Sequence, residues 1–366
     1  MRPNDQMHDK MLGLEVIRFF AAVSVLVFHY KNFTYEGLQQ VEKNLGALPL
    51  YDALWFFYTY GDYGVQAFWT LSGFIFYFKY FDTVSRGLVS GWKFFVLRFS
   101  RLYPLHILTL LAVAALQFGY TSVNGSPFAC GGNDSFHFLL HLFMASNWRG
   151  QWGLSFNAPV WSVSVEVLIY ALFFLMLRLG MRSIWSCAVL VAACAAARHF
   201  HIDNRVVMCI SFFFAGGMAA LLMQKAHANG RSNALRKLTG ALAVLLPLAY
   251  VSVFFQGGHG DQELLFLNLW VPCLVICLAQ VHIPTTNRMA SGLEVAGNVT
   301  YASYLIHFPI QVAVALCFTW MGDSVPFGSP VLLTAYVLGT LALSVPVYRL
   351  FEMPAQKHIR RLLLRQ

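Results

Sequence analysis

Arg18 and His29 stand eleven residues apart within Leu14–Tyr30, LEVIRFFAAVSVLVFHY, a stretch apolar enough to cross a bilayer. On a helix that spacing is about three turns plus 20°, so guanidinium and imidazole share a face with about 16 Å of rise between them. Ionisable groups at such depth are costly in lipid and face a bundle interior, where they mark a pathway or a reaction site. The cation suits an anion and the imidazole suits proton transfer. Both need partners, and two sets are available.

The first set is cationic. Arg98-Phe-Ser-Arg101 places two guanidiniums one turn apart on the same side of a helix. Planar Arg donors bind phosphate oxygens bidentately, so with Arg18 they would guide a phosphate-bearing molecule into the membrane plane. The other reading makes Arg98 and Arg101 topology anchors that snorkel to lipid phosphates.

The second set joins His29 to Glu166. A carboxylate on an imidazole fixes its tautomer and raises its basicity, which suits general-base removal of a hydroxyl proton. Glu166 ends Trp161-Ser-Val-Ser-Val-Glu, in which Trp161 is interfacial and Ser162, one turn before the acid, can meet the same ligand; Ser164 lies on another face. The other reading makes Glu166 the partner of a nearby cation. His307, just before Pro309, is either a packing residue or a catalytic one. His137 and His141 have metal-ligand spacing but no evident third ligand, so no metal is expected and His137 is read as structural or substrate-orienting. Gly64 and Thr70-Leu-Ser-Gly-Phe74, which includes Ser72, offer small residues for close helix approach.

The elements that must position these groups are membrane helices. Hydrophobic residues make up 58% of the 366 and charged residues 11%, against about 25% charged in a soluble domain. Ten spans are expected, at about 13–31, 62–80, 99–119, 159–179, 183–199, 206–224, 236–256, 264–282, 299–320 and 330–350. Phe136 to Ala145 is too short to cross and reads as an interfacial or re-entrant piece. With the N-terminus inside, nineteen Lys and Arg fall on inside segments and five on outside ones, which places both termini in the cytoplasm. The fold class is therefore all-α, integral to the membrane. The formal charge of +9 sits in short clusters between spans, which argues against nucleic-acid binding. The seven cysteines show neither metal spacing nor an evident disulfide framework. By this topology Arg18, Arg98 and Arg101 form an inner layer, His29 and Glu166 an outer one, with His307 between.

Taken together, these motifs resemble the acyltransferase-3 family of bacterial membrane O-acyltransferases. Arg18 and His29 are similar to its first-span Arg/Lys, ten residues, His signature. Gly64-Val-Gln-Ala-Phe-Trp-Thr-Leu-Ser-Gly-Phe74 resembles its second-span segment, with Trp69 and Thr70 departing from the commonest residues. Arg98-x-x-Arg101 with Tyr103-Pro104, Trp161-Ser-x-Ser-x-Glu166, Ser303-Tyr304 with His307, and Phe351-Glu-Met-Pro354 complete the series in order. The resemblance implies a single transmembrane acyltransferase domain over 1–366, with no added soluble domain, in a bacterial inner membrane. It implies acetyl-CoA or another acyl-CoA as donor, its phosphates on Arg18, Arg98 and Arg101, and no permanently bound cofactor. The implied acceptor is a hydroxyl of an exopolysaccharide, O-antigen or lipid-linked oligosaccharide on the outer face. His29 would be general base or acyl relay, oriented by Glu166, with Trp161, Ser162, Ser72, His307 and His137 in support. Besides the bilayer, a homo-oligomer or glycan-export machinery is left open as partner. The competing class is a transporter or flippase that uses Arg18, His29 and Glu166 as a polar pathway.

Overall fold

The computed structural model describes residues 11–149, 153–202, 204–254, 261–281 and 288–364. Its helices are α1 (Leu12–His29), α2 (Tyr51–Tyr60), α3 (Gly64–Ser85), α4 (Gly91–Asn124), α5 (Ser135–Leu142), α6 (Trp161–Arg178), α7 (Ile184–His199), α8 (Arg205–Ala228), α9 (Ser232–Phe254), α10 (Asp261–Ala279), α11 (Arg288–Asn298), α12 (Thr300–Met321), α13 (Pro330–Pro346) and α14 (Met353–Leu364). The described strands are a two-residue antiparallel hairpin, β1 (Tyr35–Glu36) and β2 (Gln39–Gln40), turned at Gly37 with φ +60°. Among the described residues eight helical stretches are long and apolar enough to cross a membrane, and the protein is an integral membrane protein. They coincide with eight of the ten expected spans. Of the other two, 62–80 lies in α3, whose Gln, Thr, Ser, Gly and Tyr residues dilute its hydropathy. The stretch 183–199 forms α7, only 16 residues long.

The chain divides into two interleaved compact units: 1–20, 66–86 and 176–298 make the first, and 21–65, 87–175 and 299–366 the second. In the first unit α3 and α8 meet backbone to backbone. A Cβ at Gly73 would fall on the Phe213 carbonyl, and one at Gly216 on the Thr70 carbonyl. The small residues of α3 thus do what their spacing predicts, and Gly216 completes the crossing from α8. Gly216→Ala is expected to destabilise the protein by roughly 1–3 kcal/mol, since the obstructing atom is backbone and cannot swing away. The check is the thermal midpoint in detergent, with Gly339→Ala as a control that meets no atom within 4 Å and does not lower it.

In the second unit α12 packs on α4 and on α13, and every residue from Ala302 to Pro309 is buried. Aromatic and aliphatic side chains fill both sides: Leu110, Val113, Tyr120, Phe128, Phe308 and Val312 towards α4, and Leu26, Tyr30, Phe33, Tyr58 and Tyr336 around the end of α1. The α4 helix starts at Ser90, whose Oγ accepts from Lys93 N at 3.1 Å, and ends at Gly125 in the left-handed region. Its 34 residues span about 51 Å, longer than the hydrocarbon core.

Two internal prolines have matched partners. Proline lacks the N–H that would bond the carbonyl four residues back. Pro309 thereby frees the Leu305 carbonyl, and Asn157 Nδ2 donates to it at 2.9 Å. Pro247 frees that of Ala243, which accepts from Trp270 Nε1 at 2.9 Å. After Pro346, α13 widens into a π-helical turn, Val347–Glu352, before α14.

Candidate active site

The second unit holds two groups of polar side chains along α12. One surrounds His29, the last residue of α1. Its Nδ1 lies 3.0 Å from the Val25 carbonyl, one turn earlier. A carbonyl can only accept, so Nδ1 carries the hydrogen and Nε2 keeps its lone pair. The ring sits at a centroid distance of 5.0 Å from His307, tilted by 35°. His307 is fully buried, and neither of its ring nitrogens has a hydrogen-bond partner among the described residues. Gln311, one turn further along α12, donates to the His29 carbonyl at 2.7 Å and accepts from Asn32 at 3.1 Å, which fixes the end of α1 to α12.

The second group lies nearer the start of α12. Arg101 of α4 is ion-paired with Glu352 in the π-turn, and its guanidinium carbon stands 5.5 Å from the Tyr301 ring centroid. Glu352 is 1% exposed, and its Oε2 has no hydrogen-bond partner among the described residues. Tyr301 Oη donates to the Leu102 carbonyl at 2.7 Å. Arg98, one turn before Arg101, is half-buried, and Arg360 of α14 donates to Ser100 Oγ at 3.0 Å in the same turn of α4. Three-residue spacing on α4 and a basic C-terminal helix, α14, thus gather three guanidiniums around one stretch of α4.

Glu166 belongs to this second group. Its carboxylate accepts from Tyr170 Oη at 2.6 Å, and both Glu166 and Arg101 are within electrostatic reach of Tyr301. The reason is helix register. Asn157 bonds Leu305, and Ser162 Oγ meets Tyr304 Oη at 2.6 Å, so α6 runs antiparallel to α12. Glu166, one turn beyond Ser162, therefore falls beside Tyr301. Six residues, about 9 Å of rise, separate that level from His307. No hydrogen bond of His29 reaches Glu166 among the described residues; its Nδ1 meets the Val25 carbonyl instead.

The other expected residues are placed as follows. Arg18, in the first unit, donates from one terminal nitrogen to both Glu15 oxygens at 2.9 and 3.0 Å. Its remaining nitrogens make no hydrogen bond to the described residues. Ser72 is half-buried in α3, also in the first unit. Ser162 is spent on the α6–α12 junction, and Trp161 is half-buried beside it. Ser164 Oγ accepts from Asn147 N, and its carbonyl from Trp148 Nε1, which pins the segment after α5. His137 is bonded to Asp134, the cap of α5, at 2.8 Å. His141 points instead to Ser155 Oγ at 3.0 Å, so the pair does not converge on a common ligand. Burial, with His106 adjoining, pushes the His141 imidazole down to about 3 and keeps it neutral.

Sequence reasoning singled out neither Gln311 nor Tyr301, and Glu352 entered only within a closing motif. Gln311 was findable as the residue one turn beyond His307, and Glu352 as an acid in an otherwise basic terminal segment.

Residues 11–349 match the acyltransferase domain family. The chain belongs to the acyltransferase-3 family. It is also similar to acyltransferase MdmB of Streptomyces mycarofaciens, with 29% identity over 190 residues, which is 50% of this chain and 44% of that protein. No solved structure matches it. Membership of this family favours acyl transfer over the transporter reading.

Proposed function

We propose that the protein is a membrane O-acyltransferase that moves an acyl group, acetyl in the first instance, from acyl-CoA to a hydroxyl of an exopolysaccharide, O-antigen or other surface glycan. The observation that carries this is the His29 tautomer. With Nδ1–H given to Val25, Nε2 is a lone-pair acceptor at the end of a membrane helix. An acceptor hydroxyl placed there loses its proton to Nε2 as its oxygen attacks the thioester carbonyl. The tetrahedral intermediate then expels the CoA thiolate, which takes that proton back. His307 supports the assignment, because its buried ring stands 5.0 Å from that of His29, centre to centre, where an N–H would face the developing oxyanion.

On the donor side, Arg98 and Arg101 serve the CoA phosphates, and Arg18 is proposed to serve the same donor from α1. Glu166, next to Tyr301, is assigned a supporting role at the donor end rather than at the base. Ten spans with both termini in the cytoplasm, in a bacterial inner membrane, would put the donor inside and the glycan outside. The excess of basic residues on the inside segments supports that orientation.

Mass spectrometry of surface and exported glycans from cells with and without the protein tests the reading. One acyl group per modified sugar, present only with the protein, is the expected result. Identical glycans would overturn it.

A further inference from the structure

Beyond His29 the chain forms a 3-10 turn, Tyr30–Thr34, and then the β1–β2 hairpin. The hairpin is held on several sides. Gly37 N donates to Tyr120 Oη at 3.1 Å, Ala129 N to the Gly37 carbonyl at 2.8 Å, and Ser324 Oγ to Glu36 Oε1 at 3.1 Å. Tyr30 Oη donates to the Phe327 carbonyl at 2.9 Å, which ties the segment after α12 to the end of α1. These walls line an open cavity of ≈ 240 Å³ within the second unit, whose lining includes Tyr35, Glu36, Tyr120, Asn124, Thr319 and Asp323. That is about eight waters' worth of space, on the scale of one sugar ring.

The lining selects a ligand class. It contains no Lys, Arg or His, so it does not suit a phosphate. Two carboxylates, an amide and four hydroxyls do not suit an acyl chain either. A pyranose matches: its C–H face packs on aromatic rings, and its hydroxyls donate to carboxylates. The Asp323 carboxylate makes no hydrogen bond to the described residues, and one Glu36 oxygen is engaged by Ser324.

The cavity is displaced from the histidines. Its α12 wall, Ala315 and Thr319, lies eight and twelve residues beyond His307, about 12 and 18 Å of rise. We propose that this cavity is a distal acceptor subsite that holds a sugar ring remote from the hydroxyl being acylated. The inference rests on the glycan acceptor argued above. Binding there would position an extended acceptor by contacts away from the reacting centre, so removing them impairs transfer without touching the base.

Asp323→Asn, Asp323→Ala and Tyr35→Ala are tested as full-length protein at equal membrane levels. The readouts are acyl content of the glycans by mass spectrometry and the rise in thermal midpoint that acetyl-CoA produces on the purified protein. Loss of a charged hydrogen bond predicts acylation reduced by about 10- to 100-fold in the Asp323 variants, with the acetyl-CoA response as in wild type. Wild-type acylation in all three variants overturns the subsite and leaves the acyltransferase reading standing. Acylation lost together with the acetyl-CoA response in all three also overturns it, since the cavity would then serve the donor or the fold. Unacylated glycans in cells with the wild-type protein overturn both readings.

Discussion

His29→Ala is expected to lower acyl transfer by about 10²–10⁴-fold, the range that a positioned general base contributes. The protein should still insert and still respond to acetyl-CoA. The expectation follows from which nitrogen is free. Nδ1 is committed to the Val25 carbonyl within the same helix, so Nε2 keeps one tautomer without help from a second helix. Gln311 holds the His29 carbonyl, so the backbone position survives loss of the imidazole. His307 is not expected to take over, because it belongs to a different helix and is assigned to the oxyanion rather than to the hydroxyl proton. The measurement is acyl incorporation in membranes carrying equal amounts of full-length protein, with His307→Ala in parallel. His307→Ala should be impaired while retaining more activity than His29→Ala. Transfer by His29→Ala above a tenth of the wild-type rate would remove His29 from the proton transfer.

Local pattern made much of this legible. The apolar runs locate eight membrane-length helices, and the small residues of α3 announce a close crossing. The ten residues Phe136–Ala145 are too short to span, and α5 is correspondingly a single short helix. What local pattern does not contain is register between helices. Topology assigns Glu166 to a layer of the membrane, but its neighbour is chosen by Asn157 on Leu305 and Ser162 on Tyr304, contacts spanning more than 140 residues. The same limit hides the partners of Pro309 and Pro247, since proline shows which carbonyl is freed and not what caps it. Glu352 escaped because it follows Pro346, where the apolar run stops, and a π-turn carries it back against α4.

Arg101 is proposed to bind the donor and is ion-paired with Glu352, and separating these two roles decides what the cationic group is for. Arg101→Ala strands a carboxylate that is 1% exposed, and with Arg101 itself 31% exposed the cost lies below the roughly 3–5 kcal/mol of a fully buried pair. The single variant is therefore expected to lose stability and activity together, an outcome a merely structural arginine would share. Pairing the change with Glu352→Gln removes the buried charge that causes the first loss. Arg101→Ala/Glu352→Gln should recover most of the thermal midpoint. It should still bind acetyl-CoA about 10- to 100-fold more weakly than wild type, the worth of a charged hydrogen bond to phosphate. Arg98 of α4 and Arg360 of α14, bonded to Ser100, remain beside the site, so binding weakens rather than vanishes. A thermal midpoint titrated with acetyl-CoA reads both quantities in one experiment. Should the double variant bind acetyl-CoA as wild type does, Arg101 would be a structural anchor for Glu352 and the π-turn. The phosphates would then fall to the other arginines of the proposal, Arg98 first among them.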